Sequence, residues 1–460
     1  MTDLVLVFPY FNDDESFFKF PPLGLGCLAS VVREEGYSVD IVDCTLLERQ
    51  EAISRIRGLK PRALGVFSML SMRETALMFA REFREECELL IAGGPQPTVS
   101  PEKYVNDFDI VGMGECENTI LDIMHTFENG NDYSKVNGIA FNQGSTSSSG
   151  SLLQITNQIH RTEPRERIKD LENLPFPARD LFDHSSYQRY YREHYGATMT
   201  HMMCSRGCPF SCNFCSKPIF GSIYRHRSAK SIVDEIEDIQ TYGYERVWFS
   251  DDIFPINKKL VEDVSSEIIQ RGLDVEWGCL CRSDLMNAEL SQKMKRGGCF
   301  QVFFGLESGN NEVLKMMNKA ITVEQSKLAV NSCVKAGIKV GGFFILGYPG
   351  ENNETMLETI KFASSLPLDY FSFTVPYPIP GTKLYESVLG KMVTDEWVKP
   401  KGEAVDQKLI WVSDFSERKL KFGIRKARLQ ASMRKKLGLG YYLAGKPIEV
   451  VTDQIFKMMK

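Results

Sequence analysis

Four cysteines fall within twelve residues, 204–215, which read CSRGCPFSCNFC. Three of them, Cys208, Cys212 and Cys215, stand as C-x3-C-x2-C. That spacing lets one short loop bring three thiolates to a metal and leave one coordination position open. Thiolates serve zinc and iron-sulfur clusters alike. A closed zinc site usually draws two Cys pairs from separated segments, and no second pair at that separation is present. A 4Fe-4S cluster held by three Cys keeps one iron for an exogenous ligand, which activation of a small molecule at the metal requires. Zinc stays open as the alternative, and chance clustering of core cysteines as a third reading. Cys204 is expected at the end of a strand.

Behind this loop, β-type apolar runs lie near residues 198, 246, 276, 301, 339 and 370. Helical periods cover 230–242, 258–271, 287–296, 322–336 and 352–366. Six such strand-helix repeats predict a partial (β/α)6 barrel, with its site at the carboxyl ends of the strands. The motifs fall at those ends: the cysteine loop, WFSDDIF, Arg282, FFGLESGN and GGFFILGYPGE.

In this order, GCPFSCNFC, WFSDDIF, FFGLESGN and GGFFILGYPGE resemble the radical S-adenosylmethionine (radical SAM) superfamily over residues 199–381. The resemblance implies a 4Fe-4S cluster on Cys208, Cys212 and Cys215, with SAM chelating the open iron. It places the SAM amine at Ser250 and Asp251, where the family more often has a glycine-glycine-glutamate turn. It pairs Arg282 with the methionyl carboxylate, Glu307 or Ser308 with the ribose hydroxyls, and the backbone of Phe214 and of strand 341–346 with adenine. For each charged residue an ordinary surface ion pair is the alternative, and Asp252 is divided between ligand contact and helix N-cap. Cys279 and Cys281, two apart on a strand, share one face and are expected in the core.

The first 142 residues alternate nearly continuous apolar strands (from 4, 38, 63, 89 and 109) with helices over 23–35 and 73–85. This order predicts a doubly wound, Rossmann-like α/β sheet covered on both faces, with ligands outside the strand ends. Those ends carry Ser68, Met69, Leu70, Gly93, Gly94, Gly112 and Glu115. By spacing, the glycines could equally be turn glycines. GGPQPTVSPE followed by DFDIVGMGECENTI resembles the closing half of the cobalamin-binding domains that precede radical SAM domains, so these residues are expected around cobalamin. The stretch NDDESFFKFPPLG contains no His, and His125 is the only one in this domain. The resemblance then implies cobalt without a protein imidazole, with Met69 or Leu70 beneath it, and a corrin seated between this sheet and the barrel mouth.

QGSTSSSGS, from Gln143, reads either as a boundary or as the tip of a hairpin joining GIAFNQ to LLQITN. The expected domains are 1–142 (cobalamin-binding), 143–196 (connector), 197–389 (radical SAM barrel) and 390–460 (a C-terminal helical cap). Between 416 and 446 ten Lys or Arg face one acid, with apolar residues about every fourth position. This is a basic amphipathic helix, either packed on the barrel or open to an anionic substrate, a membrane surface or nucleic acid. Tyr441, Tyr442 and Leu443 could close the barrel mouth.

Composition bounds the rest. Of 460 residues 43% are hydrophobic and 25% charged, as in soluble globular proteins. The net charge of -5 leaves no general basic footprint for nucleic acid. No apolar run approaches bilayer length and the start lacks a signal-peptide pattern, so a cytoplasmic protein with reduced thiols is expected. The family reading is a cobalamin-dependent enzyme that methylates an unactivated carbon of a small molecule, anionic if the basic helix faces it, through a 5'-deoxyadenosyl radical and methylcobalamin. An oxidative ring closure without methyl transfer, as in anaerobic porphyrin cyclases, is the alternative within enzymes, and a non-enzymatic cluster protein the alternative outside them. With no additional ferredoxin-like cysteine cluster, electrons are expected from a separate donor such as flavodoxin or ferredoxin.

Overall fold

The computed structural model describes residues 1–11, 19–130, 132–142, 159–394 and 409–459. The Ser-rich run from Gln143 and the whole of LLQITN lie outside them. The chain divides into two compact units, one of residues 1–201, 217–227 and 242–244, the other of 202–216, 228–241 and 245–460.

The first unit runs β1 (Thr2–Phe8), α1 (Leu23–Glu34), β2 (Val39–Asp43), α2 (Arg49–Leu59), β3 (Pro61–Phe67), α3 (Arg73–Glu82), β4 (Leu89–Gly93), β5 (Ile110–Gly112) and α4 (Glu117–Asn129). It continues with β6 (Ile139–Asn142), β7 (Ile159–Arg161) and α5 (His184–Tyr195). Its seven strands lie in the order β2-β1-β3-β4-β5-β6-β7. β1 to β5 are parallel, and β6 and β7 add an antiparallel edge on either side of the Ser-rich run.

The strands read as unbroken apolar runs because both faces are buried. Leu4 and Leu6 of β1 pack with α1 and α4, while Val5 and Val7 pack with α2 and α3. Helix α2 is missing from the sequence-derived helical periods because only Ala52, Ile53 and Ile56 are buried along it. So sparse a stripe gives almost no helical signal.

A six-stranded sheet follows between residues 199 and 374, in the order β13-β12-β11-β10-β9-β8, with β8 (Met199–Met202), β9 (Arg246–Phe249), β10 (Glu276–Cys281), β11 (Cys299–Glu307), β12 (Lys339–Ile345) and β13 (Tyr370–Thr374). From β9 to β13 neighbours are parallel. The crossovers are α6 (Ala229–Thr241), α7 (Lys258–Arg271), α8 (Ala288–Arg296), α9 (Val323–Lys335) and α10 (Asn353–Ser365). Asn257, Asn287, Thr322 and Asn352 start four of these helices with side-chain caps. Asn257 is thus the N-cap after β9, and Asp252 is not.

α11 (Glu417–Leu437) and α12 (Lys446–Met458) complete the second unit. The basic helix α11 is packed by its apolar side: a Cβ on Gly423 would stand 2.8 Å from Leu346 and 3.4 Å from Ile360 of α10. Two of its cations are buried with it, Lys426 against Asp453 at 2.7 Å and Lys419 donating to the Met459 carbonyl at 2.7 Å. Tyr441 is also buried, its hydroxyl donating to Glu449 at 2.6 Å, whereas Tyr442 and Leu443 are exposed. These three residues do not form one closing element, because Tyr441 is committed to the α11–α12 contact. No described helix is long and apolar enough to cross a membrane.

Candidate active site

β8 delivers the chain to the cysteine loop. Cys204 is fully buried, and its N–H donates to Asp251 Oδ1 at 2.7 Å, while the Ser205 hydroxyl donates to Oδ2 of the same carboxylate. Asp251, just beyond β9, therefore braces the entrance to the loop. Burial raises its pKa to about 7, against the pull of those hydrogen bonds. Ser250, the other residue expected at the SAM amine, donates its N–H to the Met202 carbonyl at 2.8 Å. It joins the two strand ends.

Further along, Cys208 is buried, Cys212 half-buried and Cys215 exposed. A turn at 316–320 grips this part of the loop. Asn213 donates its backbone N–H to Met317 O at 2.9 Å and its side chain to Met316 O at 2.8 Å. Asn318 Nδ2 reaches Ser211 O at 2.6 Å. Among the described residues no three Cys, His, Asp or Glu side chains converge on one metal position. What the fold fixes is the loop, its thiols and their surroundings.

Arg282 follows β10 and is fully buried. Its guanidinium bonds Asp284 and the Lys319 carbonyl (2.7 Å), lies 3.7 Å from the centre of the Phe210 ring, and points Nη1 at Cys212 Sγ, 3.8 Å away. It therefore touches the cysteine loop itself. Glu307 ends β11 at a register shift and sits at φ +60°, a left-handed conformation unusual for Glu. Bulges of this kind re-aim a side chain next to a site. Here the carboxylate meets Lys319 Nζ at 2.8 Å, with both partners buried. Ser308 shares a hydrogen bond with Thr359 at 2.9 Å and is completely enclosed. Phe214 packs on the apolar cluster of Ile345 and Tyr348.

Two residues at this site are absent from the sequence-derived set. Lys319 lies between Asn318 and Ala320, both at positive φ. Burial alone would depress its pKa, but the Glu307 charge, the neighbouring Cys212 and the Glu307 hydrogen bond outweigh burial and raise it. Glu351 accepts the N–H groups of Gly347 and Tyr348, both at 2.8 Å, and so shapes the loop after β12. Burial raises its pKa to about 7. Its position right after GYPG was the available signal, whereas nothing local marks Lys319.

The remaining thiols in this unit are of another kind. Burial pushes Cys279, Cys281 and Cys299 far above the usual thiol range and Cys333 up to about 12. Such groups stay protonated and make poor ligands.

In the first unit Ser68 is enclosed, its hydroxyl sharing a hydrogen bond with Tyr104 at 2.7 Å, while Met69 is exposed and Leu70 half-buried. A Cβ on Gly93 would meet nothing within 4 Å. Gly94 stands at φ +117°, and its Cβ would come 2.5 Å from Ser68 O, so backbone geometry alone demands glycine there. Gly112 is buried against Cys116 Sγ. Glu115, expected at cobalamin, has both oxygens on Arg225 (2.9 and 2.8 Å) and accepts the Ile168 N–H. A buried carboxylate needs such a partner, and Glu115 serves as a brace.

Comparison with known proteins follows the same division. The Radical SAM superfamily model matches residues 202–363, and a B12 binding domain model matches residues 14–123. An uncharacterized methyltransferase of Pyrococcus horikoshii is 33% identical over 390 residues, which cover 82% of this chain and 81% of the relative. The chain belongs to the radical SAM superfamily. This radical SAM enzyme is also similar to the anaerobic magnesium-protoporphyrin IX monomethyl ester cyclase of Rubrivivax gelatinosus, at 27% identity over 83% of this chain and 68% of the relative. It shares the fold of the cobalamin-dependent S-adenosylmethionine radical enzyme OxsB, with a TM-score of 0.75, 15% identity, and coverage of 99% of this chain and 72% of that one.

The cofactors are a 4Fe-4S cluster, SAM and cobalamin. The residues present fit them. Three thiols on one loop, none in a disulfide, suit iron. The buried cations Arg282 and Lys319 suit an anionic cluster and a methionyl carboxylate. Open space at Gly93 beside the exposed Met69 suits a large, partly apolar ligand on the first sheet.

Proposed function

We propose that this enzyme transfers a methyl group to an unactivated carbon of a small molecule, with Cys208, Cys212 and Cys215 as the cluster ligands. The observation that carries the reading is one strand-end constellation, in which Asp251 and Arg282 bind the cysteine loop directly and Glu307 and Lys319 stand buried beside it. The 33% identical methyltransferase relative supports methyl transfer as the net reaction. When bound, the cofactors supply the hard chemistry: reductive cleavage of SAM to a carbon radical, and methyl carriage on cobalamin.

The chain's part is to bind, orient and keep water out. Ser250 is assigned to the SAM amine, with Asp251 holding the turn beneath it, and Arg282 to the methionyl carboxylate. Glu307 and Ser308 are assigned to the ribose side, and the backbone of Phe214 and strand 341–346 to adenine. In the first unit Ser68, Met69, Leu70, Gly93, Gly94 and Gly112 are assigned to cobalamin. Electrons come from a separate low-potential donor of the flavodoxin or ferredoxin class.

The test is anaerobic reconstitution with iron, sulfide and cobalamin, followed by SAM turnover over a metabolite pool. Formation of 5'-deoxyadenosine with a product heavier by one CH2 unit supports the reading. Formation of 5'-deoxyadenosine with a product that has lost hydrogens or gained oxygen favours the oxidative ring closure suggested by the 27% identical cyclase relative.

A further inference from the structure

The Lys319 ammonium is fully built into the site, yet no motif assigns it a task. Two features around it cost free energy to maintain. Asn318 and Ala320 hold left-handed backbone on either side of it, at φ 51° and 53°, and Glu307 holds φ 60° to meet it. Strain of that kind costs on the order of 1–3 kcal/mol per residue and persists only where the surroundings enforce it. Burying a Lys–Glu pair is itself no dependable source of stability. An apolar pair would fill the space more cheaply.

What the arrangement achieves is placement of charge. The same turn is tied to the cysteine loop by Asn318 and Asn213. Arg282 bonds the Lys319 carbonyl with one nitrogen and faces Cys212 Sγ with another. Lys319 also lies over the Phe214 ring, 5.7 Å from its centre, one residue before Cys215. Two cations thus stand beside the middle of the three-cysteine loop, in surroundings where charge is weakly screened.

We propose that Lys319, held by Glu307, is a positioning residue that sets the reduction potential of the cluster on Cys208, Cys212 and Cys215. Each electron added to a thiolate-ligated cluster increases its negative charge, so a fixed cation nearby favours the reduced form and raises the potential. Arg282 acts in the same direction through its approach to Cys212, and Glu307 keeps Lys319 in place at the cost of part of its field.

The proposal rests on the cluster assignment, which iron and sulfide content after reconstitution tests separately. The experiment is a redox titration of the reconstituted enzyme with titanium(III) citrate, read by the paramagnetic resonance of the reduced cluster. Three proteins are compared: wild type, Lys319→Arg, and the double variant Lys319→Met with Glu307→Gln, which removes both charges and leaves no buried ion alone. The expected result is equal iron in all three, a wild-type midpoint for Lys319→Arg, and a more negative midpoint for the double variant. A double variant titrating at the wild-type midpoint overturns the proposal. Loss of iron from the double variant overturns it too, since Lys319 would then hold the loop and not tune it. Loss of iron from Lys319→Arg has the same meaning.

Discussion

The acid at the end of GYPGE illustrates how a single side chain makes the site depend on pH. Glu351 has an ordinary pKa near 4.5, and burial raises it in the folded protein to about 7. A raised carboxyl contributes stability that is fully present below its unfolded pKa and is lost as pH rises through the folded value. Wild type should therefore lose stability relative to Glu351→Gln between pH 4.5 and 7, with a slope of up to about 1.4 kcal/mol per pH unit. Denaturant midpoints of the two proteins at pH 5 and pH 8 measure the difference, and parallel behaviour would contradict the assignment. For the thiols, alanine at Cys208, Cys212 or Cys215 should abolish iron binding, whereas Cys204→Ala should keep the wild-type iron content. Cys204 serves the loop through its backbone N–H, which any residue but proline supplies. Arg282→Ala should both weaken SAM binding and lower iron content, because the side chain touches Cys212 as well as the Lys319 carbonyl. A variant with full iron and an unchanged SAM requirement would remove Arg282 from the site.

Between elements, the two adjacent glycines at the end of β4 have different reasons to exist. Gly94→Ala forces a side chain onto φ +117° and against Ser68 O, and should cost about 2 kcal/mol or more. Gly93→Leu enters open space. It should leave thermal stability near wild type and abolish cobalamin binding, read as loss of the corrin absorbance after desalting. Equal loss of stability in both variants would mean that Gly93 is also structural. Helix α11 divides in the same manner. Leu420 is buried, and Leu420→Ala should cost about 2–5 kcal/mol, while exposed Lys435→Glu should stay within about 0.5 kcal/mol. Urea denaturation of the two variants separates the packed face from the solvated one.

At the scale of the molecule, most strand and helix positions were legible because they are written in local periodicity, and α2, with its sparse apolar stripe, was not. Every strand named from apolar runs between residues 198 and 370 is present, and the helices named between them fall within a residue of their expected ends, whereas α3 stops at Glu82, short of the expected 85. The cysteine loop was legible too, since three thiols within eight residues are neighbours whatever the tertiary fold. Partnerships between distant residues were not legible. Arg225 meets Glu115 across 110 residues of chain, Arg282 meets Cys212 across 70, and Asp251 meets Cys204 across 47. Glu307 and Lys319 are only 12 apart, but what joins them is a bulge and a left-handed turn that no residue type announces. The sequence by itself therefore determined which groups could do chemistry and which elements carry them. The tertiary structure decided which carboxylates face the site and which brace it, and it turned the basic helix inward, because a buried charge is assigned by the partner that folding brings to it.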